Sequence, residues 1–407
     1  MHRQAVILHV LDDLETGGTE RQVAAFLVRS DPARFCHEVC ALAEGGRFAQ
    51  DLEAVGIPIH VLGVKTSNDM LRSILRLSRL VGKVRPDLIH ATLFRPGVVS
   101  RIVGWMHRTP VVTTLVNTTY EPEWLLDNPR LNPRKVRLAQ ILDAMTSRIG
   151  THFTAMNRAV KSSAVQRLGI APGRIAVIQR GLIPDAVVAS SNGAEGARAA
   201  FGWADVYPLI LNVGRLVPQK GQRYAILAMR EVIRRYPSAR LIIAGTGPLQ
   251  GQLEDLVRAQ RLEGHVTLLG DRRDVPLLLQ VSDLFVLPSI YEGAANALME
   301  AMAAGKPCVA SRIPTLREIT GDGAVALLAE LRSPDDFAGN LLRLAEDRTL
   351  GAQMGRAAQA WVQQHFDMDA SVQALQSLYE DLVRGRMTSA SPRSRTAGLP
   401  GGSGGSR

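Results

Sequence analysis

The chain predicts two doubly wound α/β domains, each built on a parallel sheet. Short apolar runs alternate with longer segments of 3.6-residue period, the pattern of strands covered by helices on both faces. The alternation stops near residue 185 and restarts at Leu209. At 407 residues with 46% hydrophobic content, the chain can fill two cores.

In order, Ala5–Val10 reads as a strand, Gly18–Arg29 as a helix, His37–Ala41 as a strand and Arg47–Val55 as a helix. Strands His60–Leu62 and Leu88–Ala91 flank a helix over Met70–Val84, and Val111–Leu115 and His152–Ala155 continue the sheet. Tyr120–Arg137 reads as a loop because Pro122, Pro129 and Pro133 interrupt it. A helix Ala159–Leu168 and a strand Ile175–Ile178 follow, and the Ala-, Ser- and Gly-rich segment Asp185–Ala204 reads as the link. The second half has strands at Leu209–Val213, Leu241–Ala244, Val266–Leu269, Leu284–Leu287, Cys308–Ala310 and Ala324–Leu328. Its helices run to about Tyr236 and Ala259, then cover Ala297–Ala304, Phe337–Ala345, Leu350–Phe366 and Met368–Val383. The expected domains are 1–184 and 185–367, with the helix 368–385 joining the first and a disordered tail over 388–407.

Composition narrows the function classes. Three cysteines, Cys36, Cys40 and Cys308, fit no disulfide framework or zinc spacing and favour a reducing compartment. The N-terminus reads as a first strand and not a secretory leader, and no apolar run is long enough to span a membrane. The net charge is +10. Residues 1–185 carry 24 basic and 16 acidic side chains, so +8 of it lies in the first half. Arg72, Arg76, Arg79 and Lys83 recur at i, i+4, i+7 and i+11 as one helical stripe. With Trp124 in the loop Tyr120–Arg137, they are candidates for contact with an anionic membrane surface. A solvated helix face fits the same spacing.

Sheets of this kind bind ligands at the carboxyl ends of their strands. The stretch Leu287–Gly305, LPSIYEGAANALMEAMAAG, leaves a strand, crosses a small-residue loop and enters a helix. Unpaired N–H groups at such a helix start favour an anion. Gly293, Ala294 and Ala295 leave that backbone open, and Glu292 before it suits hydroxyls. A phosphate carrying a polyol satisfies both. Arg215 and Lys220 bracket the turn after Leu209–Val213 and suit a diphosphate, the first as a planar fork and the second as a point charge. Gly17 and Gly18 precede a helix after the first strand; an ordinary strand-to-helix turn fits them too.

The segments GRLVPQKG, AGTGPLQ, LLGDRRD and LPSIYEGAANALMEAMAAGKPCVAS, in this order and spacing, resemble the family 4 retaining glycosyltransferases (glycosyl transferases group 1) of the two-domain GT-B fold. The resemblance covers nearly all of residues 5–385 and is more specific in the second half. It implies a nucleoside diphosphate sugar held mainly by the second domain and a lipid-linked or polysaccharide acceptor held mainly by the first. Arg215 and Lys220 would hold the diphosphate, and Glu292 would meet the sugar hydroxyls. The backbone of Gly293, Ala294, Ala295, Asn296 and Ala297 would meet sugar or phosphate, and Glu300 the ribose. Gly245, Gly247, Gly270, Asp271 and Arg272 would surround the base, and Gly17 and Gly18 would meet the phosphate on closure. No cofactor, metal or nucleic acid is expected. The implied setting is cytoplasmic, peripheral on the inner face of the plasma membrane.

The chain departs from the family where a histidine commonly follows the strand ending at Leu115; here Val116-Asn117-Thr118-Thr119 stands instead. Asn117 and His90 are the acceptor-side candidates. Arg180-Gly181 replaces a common Asn-Gly. The rival readings are a sugar-nucleotide epimerase of related fold and a non-catalytic basic protein docked on a membrane. A nicotinamide dehydrogenase is disfavoured, since no strand precedes a full glycine fingerprint.

Overall fold

The structure, a computed structural model, describes residues 3–14, 18–65, 69–122, 132–183 and 194–385. The first domain is a parallel sheet of β1 (Ala5–Leu11), β2 (Phe35–Ala41), β3 (Ile59–Val61), β4 (Leu88–Thr92), β5 (Val111–Leu115), β6 (His152–Ala155) and β7 (Ile175–Val177). Its order is β3-β2-β1-β4-β5-β6-β7. The second sheet holds β8 (Leu209–Val213), β9 (Arg240–Ala244), β10 (Val266–Gly270), β11 (Leu284–Leu287), β12 (Cys308–Ser311) and β13 (Leu327–Ala329), in the order β10-β9-β8-β11-β12-β13. Strand order reverses between β1 and β4 and again between β8 and β11. Each reversal opens a crevice at the carboxyl ends of those strands, where loops diverge to opposite faces.

Strand residues point alternately to two helical layers, so both faces are apolar. In the second domain Leu211, Ile242, Phe285 and Ala310 pack into one core, while Ile210, Leu241, Val286 and Val309 pack into the other. In the first, Ile7, Leu11 and Leu88 face one layer, and Leu8, Val10, Ile89 and Ala91 the other.

Several elements differ from expectation. A helix Phe94–His107 lies where no element was expected; its burial on nearly every side removes the amphipathic period. Residues 133–137, expected as loop, are the first turns of the helix Pro133–Ser147. Pro133 sits at the helix start, where its missing N–H costs nothing, and Asn132 caps it by accepting from Arg134 N at 2.9 Å. The expected link is in part a helix, Ala194–Ala200, and Trp203 and Val206 pack in the second core. Arg198 pairs with Asp283 at 3.0 Å. Short helices Val275–Val281 and Pro314–Ile319 were also not expected, and the strand expected at Ala324–Leu328 is Leu327–Ala329. The tail 388–407 lies outside the described residues.

The chain crosses between the domains twice. The helix Met368–Val383 returns to the first sheet, where Met368, Val372, Leu378, Tyr379 and Leu382 pack with Ile7, Phe26 and Leu88. The two crossings touch: Leu182 N donates to Phe366 O at 2.8 Å, and a side chain at Gly181 would meet the Met368 backbone at 2.2 Å.

Candidate active site

The β8–β11 crevice is built by two turns that hold each other. After β8, Gly214 and Arg215 lead into a single 3-10 turn, Pro218–Lys220, and then the helix Gln222–Arg235. Gly221 ends that turn at φ 60°, where an L side chain is strained. A Cβ there would lie 2.1 Å from Pro288 O, so only glycine lets the Lys220 turn seat against the loop after β11. Lys220 Nζ thereby reaches Glu292 Oε1 at 2.5 Å. The Glu292 side chain is 4% exposed and that of Lys220 17%, and Ser289 Oγ donates to the same carboxylate oxygen at 2.7 Å. Thr315 Oγ1 holds Glu292 O at 2.8 Å. A buried carboxylate needs such partners, since burying an unpaired charge is costly.

Beyond Glu292 the chain reaches the helix Asn296–Ala303 through Ala295, a non-glycine residue in the left-handed region at φ 47°. Such a residue costs about 1 kcal/mol or more and persists only where its surroundings impose it. Glu300 lies one turn into this helix. Burial pushes its carboxyl up to about 7, and Arg21 of the first domain, 3.4 Å away, opposes that shift.

The first domain closes against this loop. A Cβ at Gly293 would lie 1.5 Å from Val116 O and 2.8 Å from Asn117 Oδ1. Asn157 Nδ2 donates to Gly293 O, and Asn296 Nδ2 to Gly18 O at 3.4 Å. Glu318 accepts from Arg158 N at 2.9 Å and Ala159 N at 3.2 Å, placing a second-domain carboxylate on the start of the first-domain helix Arg158–Leu168. A cavity of about 300 Å³ lies between the domains, lined by Asn117 and Thr119 on one side and Arg215, Pro218, Gln219 and Tyr291 on the other. Asn117 and Thr119 also line a larger cavity of about 540 Å³ in the first domain, with Asp12, Asp13 and Arg95. The two spaces meet at the Asn117–Thr119 turn.

The structure therefore brings Arg215, Lys220, Glu292, Gly293, Ala294, Ala295, Asn296, Ala297, Glu300, Gly18 and Asn117 to one crevice. Arg215 is exposed there, while Lys220 is committed to Glu292. The other expected residues have the following surroundings. His90 lines neither cavity; it is buried, with Nε2 on Thr114 Oγ1 at 2.6 Å and Nδ1 on the Tyr379 hydroxyl. Gly245 and Gly247 pack against the backbone of Gly214–Leu216. Gly270 has open space about it, and Asp271 is exposed. Arg272 is paired with Asp274 at 2.5 Å. Arg72 pairs with Asp69, and Arg76 donates to Leu62 O, while Arg79 and Lys83 are exposed. Gly17 and Trp124 lie outside the described residues.

Sequence reading missed Arg21, Asn157 and Thr315, which act from elements distant in the chain and carry no local motif. Arg180 was visible only as a departure from Asn-Gly. It reaches Gly18 O and Thr19 Oγ1, each at 3.3 Å, and burial lowers its guanidinium to about 10. Among the described residues no group of three or more metal-ligating side chains comes together.

Residues 17–181 match the family described as "Glycosyl transferase 4-like domain", and residues 194–361 match "Glycosyl transferases group 1". The chain is 26% identical to the UDP-Gal:alpha-D-GlcNAc-diphosphoundecaprenol alpha-1,3-galactosyltransferase of Escherichia coli, over 82% of this chain and 84% of that one. It is 27% identical to the D-inositol 3-phosphate glycosyltransferase of Corynebacterium aurimucosum, over 73% of this chain and 72% of that one. Among solved structures, Anabaena HepE in complex with UDP and glucose superposes with a TM-score of 0.77 at 24% identity, over 93% of this chain and all of that one. WaaG, a glycosyltransferase involved in lipopolysaccharide biosynthesis, superposes with a TM-score of 0.73 at 16% identity, over 92% and 99%. At these identities the structural likeness bears on the fold, which is GT-B.

Proposed function

Because this chain belongs to the glycosyltransferases, with a 4-like domain followed by a group 1 domain, we propose that it moves a hexose-type unit from a nucleoside diphosphate sugar to a lipid-linked acceptor, with retention of configuration. The observation that carries the reading is the β8–β11 crevice. Arg215 faces Asn117 and Thr119 there across a cavity of about 300 Å³, beside the Lys220–Glu292 pair and the 293–297 turn. A donor diphosphate entering it would draw Arg215 and Lys220 onto its oxygens and leave Glu292 to accept hydrogen bonds from the sugar. Glu300 would take the ribose hydroxyls.

The bond from the sugar anomeric carbon to the β-phosphate oxygen breaks with its electron pair going to that oxygen. Fixed cations and helix N–H groups stabilise this charge without reorganising. The acceptor hydroxyl attacks on the same face, and its proton passes to the departing phosphate oxygen. Asn117 orients the incoming group by hydrogen bonding. The closed contact at Gly293 keeps water from the donor. Arg215 and Lys220 neutralise the leaving group in this scheme, which routes no step through a metal.

A membrane-borne acceptor is favoured by the Escherichia coli relative, whose name specifies a diphosphoundecaprenol substrate. The proposed setting is the cytoplasmic face of the plasma membrane, with peripheral attachment. Among the described residues no helix is long and apolar enough to cross a membrane. The test is a thermal-shift and calorimetric screen of nucleoside diphosphates and their sugars, uridine first, with Glu300→Ala and Arg215→Ala as controls. Transfer to a polyprenyl-diphosphate sugar follows, with the product anomer read by NMR. Binding weakened by both variants, followed by transfer with retention, supports the reading. Conversion of the donor without any acceptor would replace it with epimerisation, and a folded protein that binds no nucleotide would overturn it.

A further inference from the structure

Every large apolar side chain that stands exposed among the described residues lies in the first domain. Six of them share two neighbouring helices and the turn that follows. Leu138, Ile141 and Met145 lie on the helix Pro133–Ser147, at 67%, 47% and 61% exposure. Trp105 and Met106 end the helix Phe94–His107, and Ile149 follows Ser147. Trp105, Met106 and Ile149 line one open groove. The buried pair Arg101–Asp143, 2.5 Å apart, ties the two helices together, so the patch is a fixed surface.

Its charge is one-sided. On residues 94–120 and 132–151 the only acid is Asp143, already spent on Arg101, while Arg108, Arg134, Lys135, Arg137 and Arg148 are exposed. Arg134, Leu138, Ile141, Met145 and Arg148 follow at i, i+4, i+7, i+11 and i+14. They form one stripe about 21 Å long, with cations at both ends and three apolar side chains between. Such a stripe matches the boundary between anionic headgroups and acyl chains. Nucleic acid would take the cations but leave Leu138, Ile141 and Met145 in water. A second copy of this chain would bring like charges together.

We propose that this face, and not the stripe of Arg72, Arg76, Arg79 and Lys83 alone, seats the first domain on an anionic lipid bilayer. The inference extends the proposed function, since a surface-bound enzyme can meet a lipid-linked acceptor. Its test needs neither donor nor acceptor, so the two can fail separately. The full chain is floated with vesicles of neutral phosphatidylcholine, or with about 30% phosphatidylglycerol added, at low and high salt. The native chain should float with anionic vesicles only and be released by salt. The triple variant Leu138→Ser, Ile141→Ser, Met145→Ser should partition at least about ten-fold less, and so should Arg134→Gln with Arg148→Gln. Melting temperature, measured on the same variants, should stay native because every substituted side chain is exposed. Equal flotation of native and triple variant would overturn the proposal. Failure of the native chain to float would overturn it too, and self-association lost in the triple variant would then reassign the face to a dimer.

Discussion

Adding one methyl group at Gly293 tests whether domain closure is set where the structure puts it. The residue is not in the left-handed region, so alanine is not strained by its own backbone. Its Cβ would nonetheless lie 1.5 Å from Val116 O, against 3.4 Å for an ordinary contact. The loop must therefore withdraw from the first domain by nearly 2 Å, which also removes the Asn157–Gly293 hydrogen bond. The overlap lies between domains, so neither core loses packing and Gly293→Ala should melt close to the native protein. Arg215, Lys220 and Glu300 all belong to the second domain, so donor binding should weaken by less than about three-fold. Turnover should fall by about 100-fold, the order expected when reacting groups are displaced by an ångström or more. The assay pairs steady-state transfer with fluorescence energy transfer between labels on the two domains in the presence of nucleotide. A variant that closes to the native distance and turns over within a factor of about two would refute the argument.

Lys220→Ala leaves the buried Glu292 carboxylate without its cation and should cost about 3 kcal/mol or more in denaturant unfolding; Lys220→Met combined with Glu292→Gln should recover about half. Glu300 is held near 7 by burial, so the folded protein binds a proton that the unfolded chain releases at lower pH. Its burial therefore costs nothing below about pH 4 and costs increasingly as pH rises through 7. Glu300→Gln should accordingly raise the melting temperature of the ligand-free protein at pH 8 and not at pH 4. If ionised Glu300 holds the ribose, nucleotide-sugar affinity should fall below pH 7 in the native protein and stay flat in that variant, by calorimetry. Burial also lowers His9, His37 (to about 4) and His90 (to about 3), so the unfolded chain takes up protons first as pH falls. First-domain stability should be full above about pH 6.5 and fall steadily towards pH 4, and His9→Leu should flatten that fall in denaturant titrations. Tyr379→Phe leaves His90 Nδ1 without its partner and should cost about 1–3 kcal/mol at pH 7.

Periodicity and strand-end chemistry reveal both sheets and the β8–β11 crevice, because those signals are local. Gly18–Arg29, Met70–Val84, Val111–Leu115, Leu209–Val213 and Met368–Val383 have the expected bounds. Phe94–His107 is invisible to periodicity because a helix packed on sheet and neighbouring helices has no polar face. Pro133 was read as a breaker where it is a starter, since proline's effect depends on which side of the cap it occupies. His90 shows why a lone histidine at a strand end is a weak signal. Its partner Tyr379 lies 289 positions away, and no spacing rule reports such a bond. Arg21 and Asn157 were missed for the same reason, as their partners lie across the domain interface.

The return of Met368–Val383 to the first sheet bears on how the protein is made. Synthesis runs from the N-terminus, so all of residues 194–365 leave the ribosome before the helix that covers Ile7, Phe26 and Leu88. Until then the oldest part of the nascent chain waits with an apolar face and three buried-site histidines uncovered, while the younger part can already fold. The order of completion is thus the reverse of the order of translation. The exposed interval lasts for roughly 200 residues of synthesis, tens of seconds at about 5–20 residues per second. A chain stopped short of residue 368 would never leave that state, and its fate would be decided by holding chaperones and proteases instead of by its own stability.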